Sequence, residues 1–323
     1  MTVPSSVISI PKNPLIIRSL LFLAFLAFGS LAFGQSDPKN RMIAFTFDDL
    51  PMTGAAMELK EASDVTRKLI AKLKTDEVPA IGFVNESKLI VPGEIDRRTS
   101  LLEMWLQAGF ELGNHTYSHV SIDNATLDEY LEEVIRGETI SKAISNKYKK
   151  PYRFFRHTQL RTGPTEEFRR NLDLLLKMRG YTIAPVTIDS NEYIYAVRYV
   201  EAIQKRDPAL KQKIIDSYLT YMESVTAHFE RISSGFLGYE PRQILLLHAN
   251  RLNADGLEQL IAMYKSRGYG FVSLTEALAD PAYRLPEVTS SRGLSWIHRW
   301  MLAAGKEISP EPDVPDWVNT RIQ

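Results

Sequence analysis

Residues 42–47, Met-Ile-Ala-Phe-Thr-Phe, form an apolar run that ends abruptly in Asp48-Asp49. A short apolar run bounded by charge reads as a strand buried on both faces, as in a parallel sheet. Downstream, "SDVTRKLIAKLK" (63–74) places Val65, Leu69, Ile70 and Leu73 on one helical face, and "AIGFV" (80–84) is a second buried strand. The alternation continues through a short strand leading into "ELGNHTYSH", a helix over 127–144, "YRFFR" (152–156), a helix opened by Pro164, "YTIAPVTID" (181–189), "QILLLHA" (243–249) and "GFVSL" (270–274). About seven strands, most followed by a helix, predict a parallel α/β architecture, either a barrel or an open sheet. Residues 190–235 interrupt the rhythm with helical pattern alone, a helical insertion before the sixth strand. A proline-rich extension follows Asp280.

The flanks and the composition narrow the class. Lys12 and Arg18 precede an apolar run from Leu20 to Phe33, and Ala32-Phe33-Gly34 has the small-x-small form of a cleavage site. Residues 1–34 therefore read as a signal peptide and residues 35–280 as the catalytic domain with its insertion. Residues 281–323 form a C-terminal extension. The expectation is an exported protein, periplasmic or extracellular, with no stable membrane insertion after cleavage. The 39 Lys and Arg balance 39 Asp and Glu, so there is no electrostatic reason to expect a nucleic-acid partner. The chain has no cysteine. That excludes a cysteine nucleophile and a thiolate zinc site, and leaves His, Asp and Glu to hold any metal.

In parallel α/β folds the chemistry sits at the carboxyl ends of the strands. Here those ends carry Asp48-Asp49, His115 and His119, Arg156-His157, Asp189, and His248. His115 and His119 can reach one metal if the segment between them is helical or tightly turned. Two histidines packed near a helix start would give the same spacing. Adjacent residues in a strand face opposite ways, so both carboxylates of Asp48-Asp49 can serve one site only where the strand frays. They also repel, which calls for cations nearby. An Asp-Asp turn is the plainer alternative.

These residues, in this order, resemble the polysaccharide deacetylases of the NodB-homology type. "FTFDDLP" is similar to the first motif of that family, "GNHTYSH" to the second, "FFRHTQLRTG" to the third, "TIDSNEY" to the fourth and "LLLHA" to the fifth. The resemblance implies a distorted (β/α) barrel and a metal-dependent hydrolase that removes N-acetyl groups from an N-acetylated glycan: a chitin-like oligomer, peptidoglycan or an exopolysaccharide. It implies that Asp49, His115 and His119 hold a divalent metal, zinc foremost, with cobalt, nickel or manganese also suited. Asp48 would be the general base, Arg156 its partner, His248 the general acid and Asp189 the carboxylate that orients it.

Three departures accompany the match. Leu50-Pro51 follows the Asp pair where the family has glycine, and His157-Thr158-Gln159 replaces a proline and an aromatic that commonly lines the sugar groove. Glu192-Tyr193 stands for Asp-Trp. Either Asp189 or Glu192 can then tune His248, and His157 is expected to be non-catalytic. Tyr193, Tyr195 and Tyr199 offer aromatic faces to a sugar, Tyr199 more naturally anchoring the insertion. The altered motifs leave two other readings open: the same chemistry on an O-acetyl ester or small-molecule amide, and a glycan-binding protein without turnover.

Overall fold

A computed structural model of the protein describes residues 41–54 and 58–319. The signal-peptide reading of residues 1–34 lies outside the described residues. Among the described residues there are seven parallel strands: β1 (Arg41–Leu50), β2 (Ala80–Val84), β3 (Glu111–Asn114), β4 (Phe154–Phe155), β5 (Thr182–Ile183), β6 (Gln243–His248) and β7 (Tyr269–Phe271). Their order is β5-β4-β3-β2-β1-β6, and β7 pairs with the start of β1. Beyond β5 the chain bends so that Ile188 bridges Leu245 of β6, with the Leu246 N–H donating to the Ile188 carbonyl at 3.1 Å. That bridge closes the sheet on itself as a distorted (β/α) barrel.

The apolar run that opened the sequence is the centre of this sheet. Between β2 and β6, β1 buries Ile43, Ala44, Phe45 and Phe47 almost completely, as a parallel strand covered on both faces must. Helices α1 (Leu59–Thr75), α2 (Ile95–Gln107), α5 (Glu166–Met178) and α8 (Arg251–Ser266) alternate with the strands. Two elements differ from the sequence reading. The expected helix over 127–144 is two, α3 (Leu127–Arg136) and α4 (Thr139–Lys147), which meet at Gly137. A Cβ there would lie 2.6 Å from the Thr116 carbonyl carbon. Glycine is what lets the segment between the two histidines pass close by. The run 181–189 is a strand only at its start, since Pro185 has no N–H to give a ladder.

The helical insertion is α6 (Glu192–Gln204) and α7 (Pro208–Leu237). Asp207 caps α7, and Pro208 takes its first turn, where a missing N–H costs nothing. Tyr195 of α6 packs against Tyr218 and Tyr221 of α7 at centroid distances of 5.8 and 5.3 Å. The Tyr199 hydroxyl donates to Asp255 at 2.7 Å, so Tyr195 and Tyr199 anchor the insertion and offer no face to a sugar.

After the short helix α9 (Leu274–Ala277), the extension returns to the barrel with α10 (Trp296–Ala303). The Trp296 N–H donates to Val186 O at 2.7 Å and the Ser295 hydroxyl to Thr187 O at 2.7 Å, on the segment that closes the barrel. Arg299 is fully buried. It donates to Thr162 Oγ1 at 2.9 Å, to Val288 O and Leu294 O, and to Leu160 O in the loop after β4. Replacing it by methionine leaves several buried acceptors unsatisfied. Arg299→Met is therefore expected to cost about 3 kcal/mol of unfolding free energy. Chemical denaturation checks this; a loss below about 1 kcal/mol would place the anchor of the extension elsewhere.

Candidate active site

The ends of β1, β3, β4 and β6 and the segment after β5 meet in a cleft of about 420 Å³ lined by Asp48, Asp49, His115, His119, Asp189 and His248 among others. Each side chain arrives by a local device. At the end of β1 the register against β2 slips between Phe47 and Leu50, and Asp49 adopts φ 71°. That left-handed residue breaks the strand alternation, so both neighbouring carboxylates turn to one side. Between the histidines the chain is a tight turn rather than a helix, with Thr116 at φ 66° and His119 at φ 60°. Asn114 supports it, accepting from the Thr116 N–H at 2.8 Å while its amide donates to Val134 O and Tyr181.

Asp49 Oδ1 lies 3.7 Å from His119 Nε2 and 3.9 Å from His115 Nε2, and one ligand atom from each of the three residues falls within 4.8 Å of the others. A cation bonded at about 2 Å to each would need such a spacing. Asp49 Oδ1 is buried and makes no hydrogen bond among the described residues, and His115 Nδ1–H donates to Arg156 O at 2.9 Å. The second contact fixes the tautomer that leaves the Nε2 lone pair facing Asp49. The donor set thus fits a divalent metal. Burial lowers the pKa of His115 to about 4, despite the nearby Asp48, which keeps the ring neutral and ready to ligate. Burial works against ionisation of Asp49, but the Lys88 ammonium and the imidazoles outweigh it and hold that carboxyl well below its usual range.

Asp48 is buried beside this trio. Its Oδ2 lies 3.7 Å from Arg156 Nη1 and 3.8 Å from His115 Nε2, while Oδ1 has no hydrogen-bond partner among the described residues. Arg156, also fully buried, donates to Thr46 Oγ1 at 2.9 Å and stacks over the Phe83 ring at 4.6 Å. His248 is the residue across the ladder from Asp48 in the β1–β6 pairing.

One expected contact is replaced by another. Glu192, not Asp189, accepts from His248 Nδ1–H, at 2.7 Å. Its other oxygen accepts from Asn250 and, at 2.7 Å, from Asn253, whose amide also donates to His248 O. Glu192 is the first residue of α6, where the helix N-terminus favours a carboxylate. Asp189 stays in the cleft, bonded to the Ser190 N–H at 2.8 Å; burial, only partly offset by that bond and by His248 and Arg156, raises its pKa to about 6. For His248 burial opposes the charge, but the Glu192 hydrogen bond and carboxylate outweigh it and lift the pKa to about 9.

The sequence reading missed Lys88. It sits on the 3-10 turn Glu86–Leu89 after β2, and its Nζ lies 3.1 Å from Asp49 O and 3.4 Å from Asp49 Oδ1. Nothing in the periodicity marks it; only the turn brings it back over the end of β1. His157 is buried under the cleft against Phe155, with a ring-centroid distance of 5.2 Å and no hydrogen-bond partner for either nitrogen among the described residues. Burial and the surrounding Arg299 and Arg156 cations lower its pKa to about 3, so it is a neutral packing group.

A parallel barrel with a carboxylate pair, a two-histidine turn and a carboxylate-held histidine at its strand ends defines a hydrolase-type site. The family model described as polysaccharide deacetylase matches residues 35–174, which hold the first three motifs. A curated relative, the peptidoglycan-N-acetylglucosamine deacetylase of Bacillus cereus, is 27% identical over 142 residues, 42% of this chain and 46% of that protein. The chain thus spans about half the length of that relative. Among solved structures, the peptidoglycan deacetylase PdaC from Bacillus subtilis is similar at 21% identity, over 75% of this chain and 92% of that one, with TM-score 0.46. A polysaccharide deacetylase from Bacillus cereus is similar at 17% identity, over 72% and 91%, with TM-score 0.49. A CE4 family pseudoenzyme from Bacillus anthracis is similar at 19% identity, over 75% and 66%, with TM-score 0.47. No described helix is long and apolar enough to cross a membrane.

The donor geometry makes a direct prediction. Asp49→Asn and His119→Ala should each lower zinc affinity by at least about 100-fold, read by competition with a chromophoric chelator. Asp189→Asn, in the same cleft but outside the trio, should change it by no more than a few-fold. Equal losses in all three would refute the assignment of ligands.

Proposed function

We propose that the protein is a metal-dependent deacetylase that hydrolyses the N-acetyl groups of an exported or cell-wall glycan, releasing acetate and leaving a free amine. The observation that carries this reading is the pairing of Asp48 with His248 in the β1–β6 register, in the cleft that Asp49, His115 and His119 also line. Amide hydrolysis needs a proton removed from water and a proton delivered to nitrogen. Asp48, with Arg156 beside it, takes the first as water attacks the acetamide carbon. His248, held protonated by Glu192, gives the second as the C–N bond breaks. A divalent cation on the trio, zinc or else cobalt, nickel or manganese, would supply Lewis-acid activation of water and carbonyl. The chain's part is to hold it with three protein ligands and to keep His115 in the ligating tautomer.

The same reading covers the arrangement along the chain. The signal-like residues 1–34 support export to the periplasm or beyond, with a catalytic domain from Gln35 to about residue 280 and an extension after it. The glycan rather than nucleic acid is the partner, in keeping with the chain's even balance of charge.

Residues 35–323, stripped with chelator and reloaded with zinc, should release acetate from chitin oligomers or N-acetylated peptidoglycan more readily than from acetyl-xylan. Asp48→Asn should lower kcat by about 10³-fold, the usual worth of a general base. Unchanged turnover in that variant would sink the mechanism, and preference for the ester would favour an O-deacetylase.

The acid sets the alkaline limit. His248 must be protonated to act, so activity holds below its pKa and falls as pH rises through about 9. In Glu192→Gln the opposing effect of burial is left unbalanced, so the alkaline limb should move down by at least about one pH unit. A pH–rate profile whose alkaline limb is the same in both proteins would show that Glu192 does not govern the acid.

A further inference from the structure

Lys88 lies in none of the five motif stretches, yet the fold fixes it in place. The turn that carries it, Glu86–Leu89, is tied to the two-histidine turn at two points. The Asn85 side-chain amide donates to His115 O at 2.7 Å, and the Ser87 N–H to Tyr117 O at 3.0 Å. On the other side the buried Glu86 carboxylate accepts from the Ile140 and Ser141 N–H groups, at 2.9 and 2.6 Å, in the first turn of α4. Arg98 of α2 donates to the Lys88 carbonyl at 3.2 Å. A surface lysine swings freely on its four-carbon stem. Here only 15% of the side chain is exposed, and its Nζ donates to Asp49 O at 3.1 Å and lies 3.4 Å from Asp49 Oδ1.

The oxygen it approaches is the decisive detail. Asp49 Oδ1 is also the atom that lies 3.7 Å from His119 Nε2 and 3.9 Å from His115 Nε2, so it is the oxygen through which this carboxylate would reach a metal. Ammonium and metal therefore call on one carboxylate atom. Without a metal, the ammonium offsets the repulsion of the Asp48-Asp49 pair and holds the end of β1 in its left-handed turn. With a divalent cation on the trio, the same ammonium becomes a like charge close by, in an enclosed site where salt screens little. A lysine that assists the reaction directly would face the cleft, and Lys88 does not line it.

We propose that Lys88 is a built-in counter-cation of the metal site: it stabilises the metal-free trio and weakens the hold on the metal, so that occupancy follows metal supply. This rests on the metal-binding part of the deacetylase reading. Lys88 acts through Asp49 as a positioning residue and touches no substrate.

The test is zinc titration of the metal-stripped protein in competition with a chromophoric chelator, paired with thermal melts with and without zinc. Lys88→Gln removes the charge and keeps an amide that can donate to Asp49 O. It should bind zinc at least about tenfold more tightly than the parent, through loss of a like charge in an enclosed site. Its metal-free form should melt lower, and its gain in Tm on adding zinc should exceed the parent's. Lys88→Met, similar in length and also uncharged, should show the same tightening, and Lys88→Arg, which keeps the charge, should stay within a few-fold of the parent. Lys68→Gln removes the same unit of charge from an exposed pair with Asp255 and should leave zinc affinity as it was. A lysine that only propped up the turn would give the opposite sign, since its loss would loosen the ligands. Unchanged or weaker zinc binding in Lys88→Gln and Lys88→Met therefore overturns the proposal while the trio stands. Zinc held as tightly by Asp49→Asn as by the parent would overturn the trio itself.

Discussion

Two adjacent carboxylates at the end of a central strand, Asp48 buried and Asp49 lining the cleft, repel each other at short range. Partners are brought to them from four neighbouring segments. Arg156 comes from the end of β4, Lys88 from the turn after β2 and His248 from the end of β6, while His115 and His119 bring ring nitrogens from the turn after β3. The parallel barrel makes this possible, since all its strands finish on the same rim. The left-handed Asp49 makes it useful, because without that turn one carboxylate would point into the apolar core. Fold and site are in this sense one constraint, since the charge pair is tolerable only where five chain segments converge.

The same rim drives its histidines to opposite protonation states. His115 and His248 are both enclosed, and burial alone pushes each toward neutrality. Their second partners decide the outcome. His115 donates Nδ1–H to a backbone carbonyl, which fixes orientation but adds no full charge. His248 donates to the Glu192 carboxylate, which favours the imidazolium. A neutral and a charged imidazole can therefore face the same carboxylate pair. Groups of one type whose surroundings push their pKa values apart are the usual sign of divided acid–base roles.

What was legible in the sequence depended on how local its cause was. Strands β1, β2 and β6 are continuous apolar runs, and the two-histidine spacing is a short motif, so both could be read directly. The break at Gly137 could not, since its cause is the approach of Thr116 from twenty residues away. Lys88 escaped for a similar reason: a long side chain on an irregular turn reaches a partner on another strand. The choice between Asp189 and Glu192 was open in the sequence because both lie in one motif. It was settled by where α6 begins, three residues after Asp189, with the helix N-terminus favouring the carboxylate at Glu192.

That last point ties the insertion directly to His248. Glu192 opens α6, and Tyr195 and Tyr199 fasten the same helix to α7 and α8. Glu192 is also bound by Asn253, which in turn accepts from Tyr218 of α7 at 2.8 Å. The carboxylate that holds His248 is thus clamped by both helices of the insertion and by the first turn of α8. The charge on His248 is therefore tied to one firmly held element, and a shift of α6 would disturb it.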